Sequence, residues 1–204
     1  MKDIAQGSEK IGVFLARLQP PHKGHLAVVE RALRECDRVV IIIGSSNKKD
    51  TLRNPFSFKL RKEMLINSLK SSEDKKRIEI YGLPDWSQED KTEDNSVWGH
   101  YLYYNMVSRA GQKNFTFYYC DDSDVIKSWF DDEVKRYITF CLSDRTYCEG
   151  ISSTKIRKAL TNFSKEDKAY LKKYLPKAVY SQVNKLREIL LKVNNKPTQD
   201  FTMM

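Results

Sequence analysis

Residues 11–36, IGVFLARLQPPHKGHLAVVERALREC, contain the pattern that decides the fold. The first six, Ile11–Ala16, are nearly all apolar, which predicts a short strand buried on both faces. After a turn, apolar residues recur at helical spacing; they are Leu26, Val29, Ala32, Leu33 and Cys36. A buried strand followed directly by an amphipathic helix is typical of an open parallel α/β sheet, where ligands bind at the carboxyl ends of the strands.

The turn between this strand and helix is rich in groups that can bind an anion. A helix that begins near His25 has unpaired backbone N–H groups and partial positive charge at its start, so it attracts phosphate. Gly24 permits close approach of the backbone, and the imidazoles of His22 and His25 can face the same oxygens. An isolated His-x-x-His segment is more often an ordinary polar loop. Its position here, with Arg17 beside it, favours an anion-binding turn.

The charge of the chain indicates an anionic partner. The 204 residues include 36 Lys and Arg and 27 Asp and Glu, so the net charge is 36 − 27 = +9. Such a surplus suits nucleic acid, a membrane surface or a phosphorylated small molecule. The basic residues are scattered without a run of like charges, which favours discrete phosphate sites.

Cysteine spacing and hydropathy exclude several classes of protein. The four cysteines have no Cys-x-x-Cys spacing and no neighbouring His cluster, so they indicate neither a zinc site nor a disulfide scaffold; they are Cys36, Cys120, Cys141 and Cys148. Residues 1–10 lack the apolar region of a secretion signal, and no segment approaches the roughly 18 apolar residues of a membrane span. We therefore expect a cytoplasmic protein.

The rest of the chain repeats the alternation of strand and helix. Further strands are predicted at residues 38–44, 78–83, 115–120 and 137–142. Helices are predicted from Pro55 after an Asn54 cap, over residues 98–110, and from the acidic residues 121–124 onward. This order predicts a Rossmann-like, doubly wound parallel sheet of about five strands with right-handed crossovers.

The carboxyl-terminal part of the chain is predicted to be helical. Ser164 with Asp167 forms a variant of the capping box, and Pro176 can begin a second helix. We assign residues 1–163 to an α/β domain and residues 164–204 to a helical appendage that packs on the same domain.

A second polar turn, GISSTKIR at residues 150–157, follows the fifth predicted strand. Ser152, Ser153 and Thr154 can cap a helix, and their hydroxyls with the free N–H groups can form a second anion site. Arg157 lies one turn further on the same side of the helix. Alone this segment is an ordinary helix cap, but two such turns after two strands suit a triphosphate that spans the crevice.

The two turns together resemble the H-x-G-H and I-S-S-T-x-I-R signatures of the nucleotidylyltransferase superfamily. Within it, the chain is most similar to the archaeal-type nicotinamide mononucleotide adenylyltransferases, over about residues 11–186. The matching segments are residues 16–22 (ARLQPPH), 43–46 (IGSS), 52–56 (LRNPF), 84–86 (PDW) with Trp98, 144–145 (DR) and 174–176 (YLP). The chain departs from the family pattern at Ala16, Pro21 and residues 120–122, where the family usually has Gly, Phe and Ser/Thr-Gly-Asn.

The resemblance implies a transferase of NAD biosynthesis that moves AMP from ATP to nicotinamide mononucleotide and releases pyrophosphate. A phosphate monoester has its second pKa near 6, so the attacking oxygen is largely deprotonated at neutral pH and needs no general base. Catalysis then consists of placing two anions in line and neutralising the developing charge. Mg²⁺ would be carried mainly by the ATP phosphates and water, which requires no metal-ligating residues from the protein.

The resemblance also assigns roles to individual residues. The catalytic candidates are His22 and His25, which contact the reacting phosphates, together with Arg17 and Arg53, which contact phosphates shared with the acceptor. The ATP-binding candidates are Leu15, Ala16, His22, His25, Ile151, Ser152, Ser153, Thr154 and Arg157. The acceptor-binding candidates are Ser45, Arg53, Asp85, Trp86 and Trp98, with the indole of Trp98 stacked on the cationic pyridinium ring at a gain of about 0.5–2 kcal/mol.

Two alternatives stay open at this point. The same phosphate-binding turns could serve another phosphorylated acceptor, such as a vitamin or lipid precursor. A non-enzymatic nucleic-acid binder is a second alternative. The basic residues on which the argument depends follow strands, however, and do not form one stripe along the surface. We therefore expect neither a nucleic-acid nor a membrane partner. The sequence does not determine whether the acceptor is nicotinamide or nicotinate mononucleotide, whether the donor is ATP or CTP, or which divalent metal is used. It also leaves open the role of Asp121 and Asp122 and the oligomeric state, for which a homo-oligomer is one option.

Overall fold

Five parallel strands form one sheet in the computed structural model, which describes residues 9–85, 95–120, 123–143 and 151–195. The strands are β1 (Ile11–Ala16), β2 (Arg38–Ile43), β3 (Ile78–Gly82), β4 (Phe115–Tyr119) and β5 (Ile138–Leu142). Their order is β3-β2-β1-β4-β5, and every neighbouring pair is parallel. The predicted doubly wound sheet is therefore confirmed. Because the strand order reverses between β1 and β4, the crevice for a ligand opens at the carboxyl ends of these two strands.

Helices connect the strands and cover both faces of the sheet. In chain order they are α1 (Lys23–Glu35), α2 (Phe58–Ser68), α3 (Ser72–Lys76), α4 (Asn95–Ala110), α5 (Ser123–Ser128), α6 (Asp132–Lys135), α7 (Ser153–Asn162), α8 (Lys165–Tyr174), α9 (Lys177–Tyr180) and α10 (Val183–Asn194). Successive residues of a strand point to opposite faces. Thus Val13 packs with Leu102 and Met106 of α4, whereas Phe14 packs with Val28 and Val29 of α1.

The carboxyl-terminal helices have a core of their own. Leu60 and Met64 of α2 share one buried cluster with Ile156 and Leu160 of α7. The same cluster contains buried apolar residues of the last three helices and the C-cap of α8: Leu171, Leu175, Val179, Val183, Leu186 and Leu190. Helix α2 therefore lies between the sheet and the helices that follow it, because its Leu65 belongs to the core on the sheet. The division at residue 163 into a domain and an appendage stays a prediction.

The second helix begins later than the sequence predicted. Its N-cap is Ser57, whose Oγ accepts the N–H of Leu60 (3.3 Å), and its first residue is Phe58. The expected start, at Pro55 after an Asn54 cap, is wrong because tertiary hydrogen bonds hold this segment outside the helix. The Gln19 side chain accepts the N–H of Phe56 and donates to its carbonyl, both at 3.0 Å.

Two other predicted helices are interrupted. The helix expected after β4 is divided into α5 and α6, and Asp131 caps the second piece by accepting the N–H of Val134 (2.8 Å). The helix expected from Pro176 is divided into α9, with Pro176 as its N-cap, and α10. Within the four described ranges, we find no helix that is both long and apolar enough to cross a bilayer.

Candidate active site

A cavity of about 1010 Å³ opens where the carboxyl ends of β1 and β4 meet the starts of α1 and α7. Its lining includes every described residue that the sequence predicted for the site: Leu15, Ala16, Arg17, His22, His25, Ser45, Arg53, Asp85, Trp98, Ile151, Ser152, Ser153, Thr154 and Arg157. Trp86, Asp121 and Asp122 lie outside the described residues. Leu15 and Arg157, which are 157 − 15 = 142 positions apart in the sequence, therefore line the same cavity.

The two histidines form a compact pair at the start of α1. They are 6% (His22) and 9% (His25) exposed, and their rings stack with centroids 3.6 Å apart. The backbone N–H of His22 donates to Nδ1 of His25 (3.3 Å), so a neutral His25 ring carries its proton on Nε2. This contact orients His25 as a hydrogen-bond donor through Nε2.

Gly24 is required because the chain is crowded at this turn. A Cβ at Gly24 would lie 3.1 Å from Nδ1 of His22 and 3.4 Å from a methyl group of Ile151. Close approach, and not a positive φ, is thus the reason for glycine here. The histidine turn and the start of the second motif are packed against each other at this point.

Hydrogen bonds join the second turn to the first. Ser153 Oγ donates to the carbonyl of Pro20 (3.2 Å), and Nη1 of Arg157 donates to the carbonyl of Gln19 (2.9 Å). Ser152 is the N-cap of α7, where its Oγ accepts the N–H of Lys155 (3.2 Å). The start of α7 is therefore docked directly on the loop that follows β1.

Three arginines approach one another around the cavity. Burial lowers the pKa of Arg17, and the positive charge of Arg53 lowers it further, while Asp85 opposes both effects. The pKa of Arg157 is likewise lowered by burial and then by Arg17 and Arg53. Because these cations repel one another, a bound polyanion would remove an unfavourable interaction as well as add favourable ones.

The turn after β2 supplies further polar groups to the cavity. Ser45 is buried, has a left-handed backbone (φ +50°), and donates from Oγ to Oδ1 of Asp85 (2.9 Å). The N–H of Asp85 donates to Oδ1 of Asn47 (2.9 Å). Asp85 is thus tied at both its side chain and its backbone to the β2 turn, which fixes the carboxylate beside the cavity.

Two indoles form an aromatic wall. Trp98 and Trp129 both line the cavity, and their rings are nearly perpendicular (80°) with centroids 6.4 Å apart. Gly99 makes this arrangement possible, because a Cβ at that position would overlap the carbonyl of Trp129. The wall is therefore built by close backbone contact between α4 and the segment that joins α5 to α6.

Sequence reasoning assigned no role to three residues that organise or line this site. Gln19 was only part of a matching segment, yet its buried side chain bridges to Phe56. Arg61 is a fully buried cation in α2. The sequence pattern that could have indicated its burial is its helical spacing from the apolar residues Phe58 and Leu65. No role was predicted for Trp129, although it lines the cavity.

The chemistry of this cavity is that of anion binding. Guanidinium and imidazole groups surround it, and it ends at two helix N-termini, all of which favour phosphate groups. Among the residues described, no group of three His, Cys, Asp or Glu side chains could hold a metal ion. Such a cavity can position phosphorylated molecules and neutralise charge that develops on them.

Comparisons with known proteins agree with this geometry. Residues 13–159 match the model of the family described as cytidylyltransferase-like. A nicotinamide-nucleotide adenylyltransferase of Methanococcus aeolicus is 31% identical over 150 residues, which is 74% of this chain and 77% of that protein. One of Pyrococcus abyssi is 38% identical over 91 residues, which is 45% of this chain and 46% of that protein.

A solved structure has the same fold. The chain superposes with a TM-score of 0.69 and 25% identity on a bifunctional NMN adenylyltransferase/ADP ribose pyrophosphatase of Francisella tularensis, complexed with AMP and a manganese ion. The match covers 91% of this chain and 52% of that one. The chain thus spans about half the length of this protein and of the Pyrococcus relative. The family match over residues 13–159 and the Methanococcus relative establish that the chain belongs to the cytidylyltransferase-like family, in the group that contains the archaeal nicotinamide-nucleotide adenylyltransferases.

Proposed function

We propose that this protein transfers AMP from ATP to nicotinamide mononucleotide, forming NAD and pyrophosphate. An oxygen of the mononucleotide phosphate attacks the α-phosphorus of ATP in line. The new P–O bond forms as the bond from the α-phosphorus to the bridging oxygen of the β-phosphate breaks, and pyrophosphate leaves with that electron pair. Because the attacking phosphate is already largely ionised at neutral pH, no proton has to be removed by the protein.

The observation that carries this proposal is the docking of the two motif turns. The Ser153–Pro20 and Arg157–Gln19 hydrogen bonds bring the start of α7 against the loop before α1, and both turns line one cavity. A row of three phosphates can then contact both helix N-termini at once. A single phosphate would need only one of them.

The cationic side chains suit the charge that develops during this reaction. We assign His22 and His25 to the reacting phosphates, with Nε2 of His25 as a donor, and Arg157 with residues 152–154 to the β- and γ-phosphates. Arg17 interacts electrostatically with Arg157 and with Asp85, and Arg53 interacts with Arg17 and Arg157, so we assign both arginines to phosphates that both substrates share. Removing one preorganised donor from such a site costs on the order of 100-fold or more in rate.

The acceptor side of the cavity suits a cationic ring. Trp98 and Trp129 offer aromatic surface, which attracts a pyridinium ring, and the Asp85 carboxylate can accept a hydrogen bond from a carboxamide. Mg²⁺ would enter as the complex with ATP, held by phosphate oxygens. A cytoplasmic location and the oligomeric state stay predictions.

The decisive experiment measures pyrophosphate release with ATP or CTP against a panel of phosphorylated acceptors. The panel contains nicotinamide and nicotinic acid mononucleotides and phosphorylated vitamin and lipid precursors. We expect release to require ATP and nicotinamide mononucleotide together, with NAD formed in equal amount. Release with a different acceptor, or with none of them, would contradict the proposal.

A variant of the aromatic wall tests the acceptor assignment. We expect Trp98→Ala to raise KM for the mononucleotide about tenfold, because the loss of stacking on a cation is worth roughly 1–2 kcal/mol, while KM for ATP changes little. Tyr104→Ala is the matched control, since Tyr104 lies on the same helix and is 74% exposed. An unchanged KM for the mononucleotide in Trp98→Ala would count against this pocket.

A further inference from the structure

Arg61 is a buried cation that contacts the ends of two central strands. It lies in α2, is 0% exposed, and is not among the residues that line the cavity. Its Nη1 donates to the carbonyls of Arg17 (2.6 Å) and Gly44 (2.8 Å), and its Nη2 donates to the carbonyl of Ser45 (2.9 Å). One guanidinium therefore joins the turn after β1 to the turn after β2.

Both of these turns contain an unfavourable backbone conformation. Leu18 (φ +53°) and Ser45 (φ +50°) are left-handed, although each has a Cβ. Such residues persist only where the surrounding structure holds them in place. The carbonyls that Arg61 binds belong to Ser45 itself and to the residues directly before Leu18 and Ser45, so its hydrogen bonds act where the backbone is least stable by itself.

The charge of Arg61 is retained at neutral pH. Burial lowers its pKa to about 10, with the carboxylate of Asp85 acting to raise the pKa and the neighbouring cation Arg17 acting to lower it. Hydrogen bonds from a charged donor to carbonyl oxygens are stronger than those from a neutral donor. A cation buried against three carbonyls is therefore a strong and specific anchor for them.

The two turns that Arg61 joins present different polar groups to the cavity. Arg17 belongs to the cationic cluster with Arg53 and Arg157. Ser45 donates to Asp85 on the acceptor side (2.9 Å). A displacement of either turn would move a polar group that lines the cavity.

We propose that Arg61 is a positioning residue for both substrates, which holds the turns after β1 and β2 in the conformations that present Arg17 and Ser45 to the cavity. It acts through these residues and touches neither substrate. The inference rests on the proposed function, because it uses the roles assigned there to Arg17 and to the Ser45–Asp85 pair. A purely structural arginine would affect the stability of the fold and leave ligand affinity unchanged.

The test compares Arg61→Met and Arg61→Lys with Met64→Ala. Met64 is a matched control because it is also fully buried in α2 but packs against the carboxyl-terminal helices. Binding of inorganic pyrophosphate and of nicotinamide mononucleotide is measured by calorimetry, well below the unfolding temperature of each variant. We expect both dissociation constants to rise at least about tenfold in Arg61→Met, less in Arg61→Lys, and not in Met64→Ala.

Hydrogen exchange provides a readout that needs no ligand. We expect amides of residues 15–20 and 43–48 to exchange faster in both Arg61 variants, with no such change in Met64→Ala. Unchanged exchange and unchanged affinities in a folded Arg61→Lys protein would overturn the proposal. The proposed function fails if the wild type binds neither ligand, or if it binds both but produces no NAD. In either case the hydrogen-exchange comparison still tests the role of Arg61.

Discussion

At the scale of single residues, hydrogen bonds between the two motif turns fix the position of the start of α7 on the loop after β1. The contacts there are hydrogen bonds of ordinary length, such as that from Arg157 to the carbonyl of Gln19 (2.9 Å). The sequence identifies the side chains that take part in these bonds. It does not identify their partners, because every residue has a backbone carbonyl. Substitutions at this contact therefore test geometry more directly than they test stability.

Arg157→Lys is expected to lower kcat/KM for ATP by about 100-fold or more. Lysine keeps the charge but cannot bind the carbonyl of Gln19 and a phosphate with one planar fork. Steady-state kinetics with varied ATP measure the effect. Lys158→Ala, at the exposed neighbouring position, should behave as the wild type. Wild-type kcat/KM in Arg157→Lys would show that charge alone matters at the start of α7.

Gly24→Ala is expected to lower kcat with little change in the unfolding temperature. The new methyl group would lie 3.1–3.2 Å from the His22 ring, which must shift by a few tenths of an ångström. Gly44→Ala is the matched control, because its Cβ would make only ordinary contacts of 3.7–3.8 Å. Wild-type kcat in Gly24→Ala would mean that the position of the His22 ring is not critical.

At the scale of elements, the cavity is shaped by the start of α7 and by the contact of α4 with the segment that joins α5 to α6. The start of α7 is capped by Ser152, and α4 meets the segment before α6 at Gly99. Nε2 of His100 in α4 is also hydrogen-bonded to Oδ2 of Asp131, the cap of α6. These contacts hold whole elements, so their loss should affect stability and ligand binding together.

Ser152→Ala and Ser164→Ala form a matched pair of cap variants. Each removes the side-chain cap of one helix, α7 or α8, and each should lower the free energy of unfolding by about 1 kcal/mol. Only Ser152 lines the cavity, so only Ser152→Ala should also raise KM for ATP. Denaturant unfolding and steady-state kinetics measure the two effects, and equal KM values in the two variants would refute the assignment of Ser152.

Gly99→Ala is expected to destabilise the protein by about 1–3 kcal/mol and to weaken acceptor binding. The added methyl group overlaps the carbonyl of Trp129, so α4 must move away and separate Trp98 from Trp129. Ser108→Ala, at an exposed position of the same helix, controls for the change in helix propensity. Denaturant unfolding and KM for the mononucleotide measure the two effects, and wild-type stability in Gly99→Ala would contradict the close packing of these elements.

At the scale of the whole molecule, most of the net positive charge lies in the carboxyl-terminal helices, because acidic residues are few there. Residues 151–195 contain 11 Lys and Arg and 3 Asp and Glu, so 11 − 3 = +8 of the total net charge of +9 lies in them. This region includes the start of α7, which borders the cavity. Long-range attraction should therefore raise the rate at which anionic nucleotides arrive.

We expect kcat/KM for ATP to fall as salt rises from about 50 to 500 mM, while kcat changes little, because screening shortens the Debye length below about 10 Å. The double variant Lys165→Glu/Lys172→Glu, on the exposed side of α8, should have a lower kcat/KM and a shallower dependence on salt. Kinetics at several salt concentrations measure both quantities. A salt dependence that is the same in the variant and the wild type would argue against steering by these helices.

The sequence by itself determined the architecture and predicted side chains that share one cavity. Buried β-branched runs and the alternation of strand and helix were sufficient for the five-stranded parallel sheet, because hydrophobic periodicity is a local property of the chain. The motif turns and their resemblance identified fourteen side chains that line the cavity. The start of α2 was missed because the bonds from Gln19 that displace it join residues 37 positions apart.

Only the tertiary structure decided how the site is held together. Arg61, Gln19 and Trp129 act through contacts with segments distant in the sequence, and their partners are mostly backbone carbonyl and amide groups, which are the same in every residue. No pattern of side chains encodes such pairings. They arise when the sheet brings the carboxyl ends of β1 and β2 beside α2, and the start of α7 against the loop after β1.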